Sequence, residues 1–344
     1  MHGEITVWRR DFHENPELLY DTHRTSKIVK EKLTSFGCDQ VITGLGRTGV
    51  VGVIHGRSNS NGKTIGLRAD MDALPIKEIT NLEYSSKKDG MMHACGHDGH
   101  TAMLLGAAKY LSETRNFDGK VVVIFQPAEE GGAGAKEMCE DGLMSDFDIS
   151  EVYGMHNAPG LPVGQFNIRS GAFFAAADQF TVNIQGKGGH AARPQETIDP
   201  TIVGAHILIA LQSVASRNTD PLKSLVVSVT SFRTESDSYN VIPQTVQLKG
   251  TVRTLSKDVR DMAQEKITQL IKNTGLAFGA NVELDYDRGY PVMINSDLET
   301  SHMIKAAKNV AGDKNVDDNA SQVMGAEDFS YMLEERPGAY IRVG

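Results

Sequence analysis

Lys120-Val121-Val122-Val123-Ile124-Phe125-Gln126-Pro127-Ala128-Glu129-Glu130-Gly131-Gly132 reads as a buried strand that stops at a proline and delivers two carboxylates into a glycine turn. An unbroken apolar run bounded by turn signals suits a strand covered on both faces, the kind found in parallel sheets. Adjacent glutamates are common on exposed helices. The strand before them and Gly131-Gly132 after them place this pair at a strand end, where open α/β sheets collect their ligands. The two side chains point in different directions, so one can hold a cation while the other acts as general base.

On either side of this stretch the pattern is α/β alternation: a charged helix over residues 24–36, strands over 50–55 and 64–69, a helix over 101–113, and a strand over 151–155. From Asp178 the order changes to strand (179–185), helix (200–215), strand (225–232), strand (245–253), helix (257–276) and strand (281–287). That is the β-α-β-β-α-β, ferredoxin-like plan. Val259, Met262, Ala263, Ile267, Leu270 and Ile271 fall at helical spacing behind Ser256, a plausible N-cap, and read as core packing. Residues 202–211 are almost wholly apolar, which suits burial on more than one side. After Pro291 the chain returns to a helix (298–311) and a final strand (339–344). We therefore expect an α/β protein in which residues 1–174 and 289–344 form one domain and residues 175–288 a second, inserted one.

Bulk properties agree. A chain of 344 residues exceeds what one core usually supports, and 40% apolar content fills two. A net charge of -9, from 44 acidic against 35 basic residues without a basic run, excludes a nucleic-acid partner. The N-terminus lacks a signal-peptide pattern and no apolar stretch approaches a membrane span, so we expect a cytoplasmic protein with no membrane partner. Three unpatterned cysteines, Cys38, Cys95 and Cys139, argue for a reducing compartment.

Met92-His93-Ala94-Cys95-Gly96-His97-Asp98-Gly99-His100 packs three imidazoles, a thiol and a carboxylate between glycine breaks. A lone cysteine is usually a small buried hydrophobe and a lone histidine a satisfied core residue; clustering reverses that reading. Cys95 and His97 alternate on one side of an extended segment, and a thiolate can bridge two divalent ions. Such a donor set suits zinc, and also manganese, cobalt or nickel. We expect His93 and His100 to support the ligands rather than bind. His156 follows another strand. Asp70 and Asp72 leave a strand end toward the same region, either as solvated turn residues or, Asp72 above all, as orienting partners of a ligand imidazole. Residues 186–194 frame His190 with glycines at a tip, where a donor can stabilise an oxyanion. Asn240 and Arg253 are candidates for a substrate carboxylate, although Arg253 alone would read as a solvated strand residue.

Together these segments resemble the aminoacylase and carboxypeptidase metallopeptidase family, specifically its amidohydrolase branch of hippurate hydrolases, N-acyl-amino-acid deacylases and auxin-conjugate hydrolases. The resemblance runs nearly end to end: Trp8-Arg9-Arg10-Asp11-Phe12-His13 with Pro16-Glu17-Leu18, the Asp70/Asp72 strand, residues 93–100 and 126–130, Gly154-Met155-His156-Asn157, residues 188–194, and Met324-Gly325-Ala326-Glu327-Asp328-Phe329. It implies a large zinc-peptidase-like catalytic domain with an inserted lid domain that mediates a homodimer and sends His190 toward the partner's active site. It also implies two divalent metal ions, manganese or zinc, with Cys95 bridging, His97 and His156 completing one, Glu130 serving the other, and Glu129 as general base. Gly325 would form part of the pocket wall. The implied reaction is hydrolysis of an N-acyl or N-aroyl amino acid to a carboxylic acid and a free amino acid. One departure is that relatives continue beyond the position of Gly344 into a His-His-Pro segment that supplies a last ligand, so the metal served by Glu130 is expected to be a ligand short. A silent relative acting as a binding protein, and a dipeptidase with the same mechanism, are the alternative readings.

Overall fold

The computed structural model describes residues 1–344. They divide into two compact units: Met1–Phe173 with Met293–Ser321 and Glu327–Gly344, and Phe174–Val292 with Gln322–Ala326. The chain begins with α1 (His2–Glu14), α2 (His23–Ser35), β1 (Gln40–Leu45), β2 (Gly49–His55) and β3 (Thr64–Asp70). It goes on through α3 (His97–Thr114), β4 (Lys120–Gln126), α4 (Gly134–Glu140), α5 (Leu143–Asp146), β5 (Glu151–Asn157), β6 (Phe166–Asn167) and β7 (Gly171–Phe174). The second unit holds β8 (Ala176–Gln185), β9 (Gly189–His190), α6 (Pro200–Ser213), β10 (Leu225–Thr234), β11 (Val241–Ile242), β12 (Thr245–Thr254), α7 (Lys257–Ala277) and β13 (Asn281–Arg288). The remaining elements are β14 (Met293–Asn295), α8 (Asp297–Ala311), β15 (Val316–Asp317), α9 (Phe329–Glu335) and β16 (Gly338–Val343).

The first unit is built on a mixed sheet of order β1-β2-β4-β3-β5-β16-β6-β15. Strands β4, β3, β5 and β16 run parallel, while β2 meets β4 antiparallel. Val122, Val123, Ile124 and Phe125 are fully buried, as a strand covered on both faces requires. Register sets the site. Asp70 lies opposite Gln126 and Arg68 opposite Gly154, so β3, β4 and β5 end nearly level and release residues 70–72, 127–130 and 156–157 at one sheet edge. Helix α3 covers the sheet through Leu104, Leu105 and Ala108, in a core shared with Phe12, Val29, Leu33 and Phe125.

Two local readings are corrected. Cys95 and His97 do not alternate along an extended segment: Gly96 turns the chain at φ 100°, and His97 is the first residue of α3. A Cβ on Gly96 would lie 2.3 Å from the Asn157 side-chain oxygen, so both the φ and the close approach require glycine. Helix α3 therefore starts four residues ahead of the expected helix, and the imidazoles of His97 and His100 share its first turn. Helix α1, absent from the sequence reading, packs through buried Phe12 and His13.

The second unit has a four-stranded antiparallel sheet of order β10-β12-β8-β13. Helices α6 and α7 are packed on it through a core that includes Ile207, Leu211, Ile267 and Ile271 against Phe180, Val182 and Leu248. This is the β-α-β-β-α-β plan, with the short β9 and β11 added. The Asp199 carboxylate caps α6 by accepting the Thr201 N–H at 2.8 Å. No helix of the protein is long and apolar enough to cross a membrane.

Candidate metal centre

His97 is the hub. Its Nδ1–H donates to the Asp72 main-chain oxygen at 2.8 Å, which leaves the Nε2 lone pair free. Nε2 is buried without a hydrogen-bond partner, as is Glu130 Oε1, and the two atoms stand 3.9 Å apart. That is too long for a hydrogen bond and within the span of two ligands each about 2 Å from one cation. The His156 Nδ1–H donates to the Asn157 carbonyl at 2.6 Å, turning Nε2 toward Cys95 Sγ, 3.4 Å away. Donor atoms of Cys95, His97 and His156 lie within 4.8 Å of one another, and so do those of His97, Glu129 and Glu130. Two overlapping groups of donor atoms thus meet at His97, whose one free nitrogen can serve a single cation, and the unpartnered Nε2 and Oε1 fit a cation between them.

The Asp72 carboxylate works differently from the expected imidazole clamp. Its oxygens accept the Glu129 N–H and the Glu130 N–H, each at 3.0 Å, and Oδ1 lies 3.5 Å from His97 Nδ1. Asp72 thereby holds the main chain of the glutamate pair and orients His97 through its own carbonyl. Ala128, just before the pair, adopts φ 57°, a conformation that L-residues avoid and that such a clamp can sustain.

Behind the donors lies a buried ionic layer that sequence spacing does not reveal. Arg68 donates to Asp70 at 2.6 Å, Gln126 at 2.8 Å and Asp328 at 2.9 Å and pairs with Glu327 at 3.0 Å. Tyr340 donates its hydroxyl to Glu327 at 2.6 Å. Asp70 in turn accepts from His100 Nδ1 at 2.6 Å, and His100 Nε2 accepts the Asn157 N–H at 3.0 Å. Both His100 nitrogens are thus engaged, in keeping with the expected supporting role.

One guanidinium pairs with Asp70, Glu327 and Asp328, Glu129 lies beside the last two, and the excess of carboxylates shapes the titration. Burial, followed by the charges of Glu327 and Asp328, drives Glu129 well above the usual carboxylate range. Burial lifts Asp328 to about 8 despite Arg68. Burial also raises Glu130 and the Cys95 thiol, and burial with the neighbouring His100 lowers His156 to about 4. Burial opposes protonation of His97, but the charge of Asp70 and the bond to Asp72 outweigh it. A divalent cation opposes the upward shifts of its thiol, carboxylate and His97 ligands and reinforces the downward one of His156, since ligands bind in their deprotonated forms.

His190, Asn240, Arg253 and Gly325 belong to the second unit. His190 is exposed on β9, opposite Val241, and its Nδ1 accepts the Ala192 N–H at 3.0 Å. The Asn240 carbonyl accepts the Ala191 N–H at 3.0 Å. Arg253 lies at the other end of the sheet, opposite Ala177 at the start of β8, roughly 30 Å along the strands from the β9 end. Its Nε–H donates to Thr251 at 3.2 Å. The Gly325 carbonyl accepts the Ala175 N–H at 2.9 Å. Within this unit, then, His190 and Asn240 are neighbours and Arg253 stands apart.

A half-buried thiol, imidazole and carboxylate around the buried His97, with the buried Glu129 beside them, is the donor set of a metallohydrolase centre. The chain belongs to the peptidase family M20/M25/M40, whose model matches residues 66–344. It is 42% identical over 340 residues to the hippurate hydrolase of Campylobacter jejuni, covering 99% of this chain and 88% of the relative. It is 39% identical to thermostable carboxypeptidase 2 of Saccharolobus solfataricus, covering 99% and 86%. Among solved structures it is similar to the Bacillus subtilis YXEP protein, a dinuclear metal binding peptidase, with a TM-score of 0.85 and 35% identity over 100% of this chain and 88% of that one.

Proposed function

We propose that this protein hydrolyses the amide bond of N-acyl or N-aroyl amino acids, with hippurate and N-acetyl-amino acids as representative substrates, releasing a carboxylic acid and a free amino acid. The observation that carries this reading is the buried Glu129 beside the unpartnered His97 Nε2 and Glu130 Oε1. Cys95, His97 and His156 would hold one divalent cation and Glu130, with Cys95 bridging, a second; manganese or zinc suits the donors, cobalt and nickel less usually. Bound there, the cations would polarise the scissile carbonyl and acidify the attacking water. Glu129 takes the proton from that water as its oxygen bonds to the carbonyl carbon. It then returns the proton to the amide nitrogen as the C–N bond breaks, so a single carboxylate serves as base and then acid. Asp72 fixes the main chain from which Glu129 acts. His190 is assigned as donor to the carbonyl oxygen, Asn240 and Arg253 to the substrate carboxylate, and Gly325 to the pocket wall; because Arg253 lies at the opposite end of the sheet from His190 and Asn240, this assignment requires Arg253 from one protomer and His190 with Asn240 from the other.

The second unit is assigned as lid and homodimer surface, with His190 serving the partner's site. Ile202 and Ile209 of α6 are exposed in the single chain, which supports a partner on that face. Light scattering that finds only monomer at micromolar concentration overturns this. The free cysteines suit a cytoplasmic location.

A second reading, cleavage of peptides, draws on the similarity to the carboxypeptidase and differs in pocket shape rather than mechanism. The test is product chromatography of hippurate, N-acetyl-amino acids and a dipeptide panel with manganese or zinc added and a Glu129→Gln control. Metal-dependent release from the acyl amino acids that the control abolishes is the expected result. Turnover of dipeptides alone selects the second reading, and no turnover of any substrate overturns both.

A further inference from the structure

Between β3 and α3, residues 71–96 form neither helix nor strand, yet this segment carries Cys95 beside its last residue. Its main chain is secured to its surroundings by few bonds, among them the Ala73 N–H to Glu17 and the Lys87 N–H to Glu14, each at 2.8 Å, while Leu74 and Met92 pair within it at 3.0 Å. Backbone geometry alone therefore holds the thiol loosely, and side chains must supply the rest. They come from α1. The His13 ring, 3% exposed, puts Nδ1 2.7 Å from Asp98 Oδ2 and Nε2 3.3 Å from Glu78 Oε1. Arg9 Nε reaches the same Asp98 oxygen at 2.8 Å. Glu78 in turn accepts the Ser86 N–H at 2.6 Å and the Thr80 hydroxyl, which folds the loop around it. Asp98 immediately follows His97 and is buried within the first turn of α3.

We propose that His13 is a positioning residue for the metal centre, joining α1 through its two ring nitrogens to Asp98 and Glu78 and so bracketing the segment that carries Cys95 and His97. Two ionised carboxylates are acceptors only, so a ring bonded to both donates from both nitrogens and is an imidazolium. The bond to Asp98 raises the His13 pKa against the cost of burial, in line with that form. The groups facing the ring are Arg9 from α1, Asp98 from α3, and Glu78, Tyr84 and His93 from the loop; the Tyr84 and His93 ring centroids lie 5.7 and 6.4 Å away. His13 touches none of the proposed ligands and acts through Asp98 and the loop.

This inference rests on the metal-centre reading, and its test reads metal binding without turnover. Manganese and zinc are titrated calorimetrically into metal-free wild type, His13→Ala, His13→Gln and Glu78→Gln, and the absorption of each cobalt-loaded protein is recorded as a signature of thiolate ligation. His13→Ala is expected to weaken binding by roughly 10- to 100-fold, the usual effect of losing a partner that orients ligands, and to shift the thiolate-to-cobalt band. His13→Gln, which keeps one donor, should fall between alanine and wild type. Should His13→Ala fail to fold, Glu78→Gln decides, because it leaves the Arg9, His13 and Asp98 contacts in place and loosens only the loop. Variants that bind with wild-type affinity and a wild-type cobalt spectrum overturn the proposal alone; wild type that binds no metal overturns the metal-centre reading with it.

Discussion

Replacing Asp72 by asparagine probes the clamp on the glutamate pair. In the wild-type chain its two oxygens each accept one main-chain N–H at 3.0 Å, from Glu129 and Glu130, and the side chain is fully buried. Hydrogen bonds to a charged acceptor contribute about 1.5–3 kcal/mol each, so the pair supplies about 3–6 kcal/mol. Asparagine keeps one oxygen, now neutral and contributing about 1 kcal/mol, and turns an amide donor toward the other N–H. The expected loss is about 2–5 kcal/mol, a large part of the 5–15 kcal/mol by which folded proteins are stable. Urea unfolding of metal-free protein followed by tryptophan fluorescence measures it. The one tryptophan, Trp8, lies in α1 with its ring 5.7 Å from Phe36, so the signal belongs to the first unit. Metal titration of the same protein reads the site, because Glu130, if it is the proposed ligand, would be displaced and bind more weakly. A stability change below about 1 kcal/mol together with wild-type metal affinity would refute the clamp, as would an Asp72→Ala variant less damaged than Asp72→Asn.

Glu129→Gln is expected to lower kcat by about 10²- to 10⁴-fold while metal content stays at the wild-type level by atomic absorption; retained kcat removes Glu129 from the general-base role. Arg68→Met strands Asp70, Glu327 and Asp328 without their guanidinium and should cost at least about 3–5 kcal/mol, visible as a lower urea midpoint; an unchanged midpoint contradicts the ionic layer. The pKa of His13 is raised in the folded chain, so its contribution to stability is full below about pH 6.5, the ordinary value, and is lost as pH rises through the raised one. The pKa of Asp98 is lowered, so its share is present above its ordinary value near 4 and is lost as pH falls through the lowered one. Stability measured from pH 5 to 9 should therefore show an alkaline decline in wild type that His13→Gln lacks, and parallel curves contradict the assignment.

Strand ends were the most legible part of the sequence. The unbroken apolar run of β4 marked its own limits because burial on both faces leaves no polar position inside that strand, and the ends of β3 and β5 were read within one or two residues. Helix α3 was read short because Gly96 and Gly99 look alike as breaks; the first turns the chain at φ 100° while the second sits inside the helix. Helix α1 was missed because its few apolar residues are separated by charged ones, and part of what it buries is the polar His13. The donors Cys95, His97, Glu130 and His156 stood out by clustering or by position after a strand. Asp70, Arg68, Glu327 and Asp328 did not: Arg68 and Asp328 are 260 residues apart, and a pair closed by topology leaves no periodicity to read. The clamp by Asp72 was legible as an orienting role, but its object, the main chain of Glu129 and Glu130, follows only from the level ends of β3 and β4.

Those level ends also bear on the order of events in folding. Cys95 and His156 are 61 residues apart, and they meet only after β3, β4 and β5 have taken their register. The entropy of closing so long a loop is met by strand pairing before any cation finds its donors. A cation that binds only the finished arrangement slows unfolding and leaves the refolding rate where it was. In a chevron experiment manganese or zinc would then lower the unfolding arm alone; movement of the folding arm would mean that the donors assemble before the sheet.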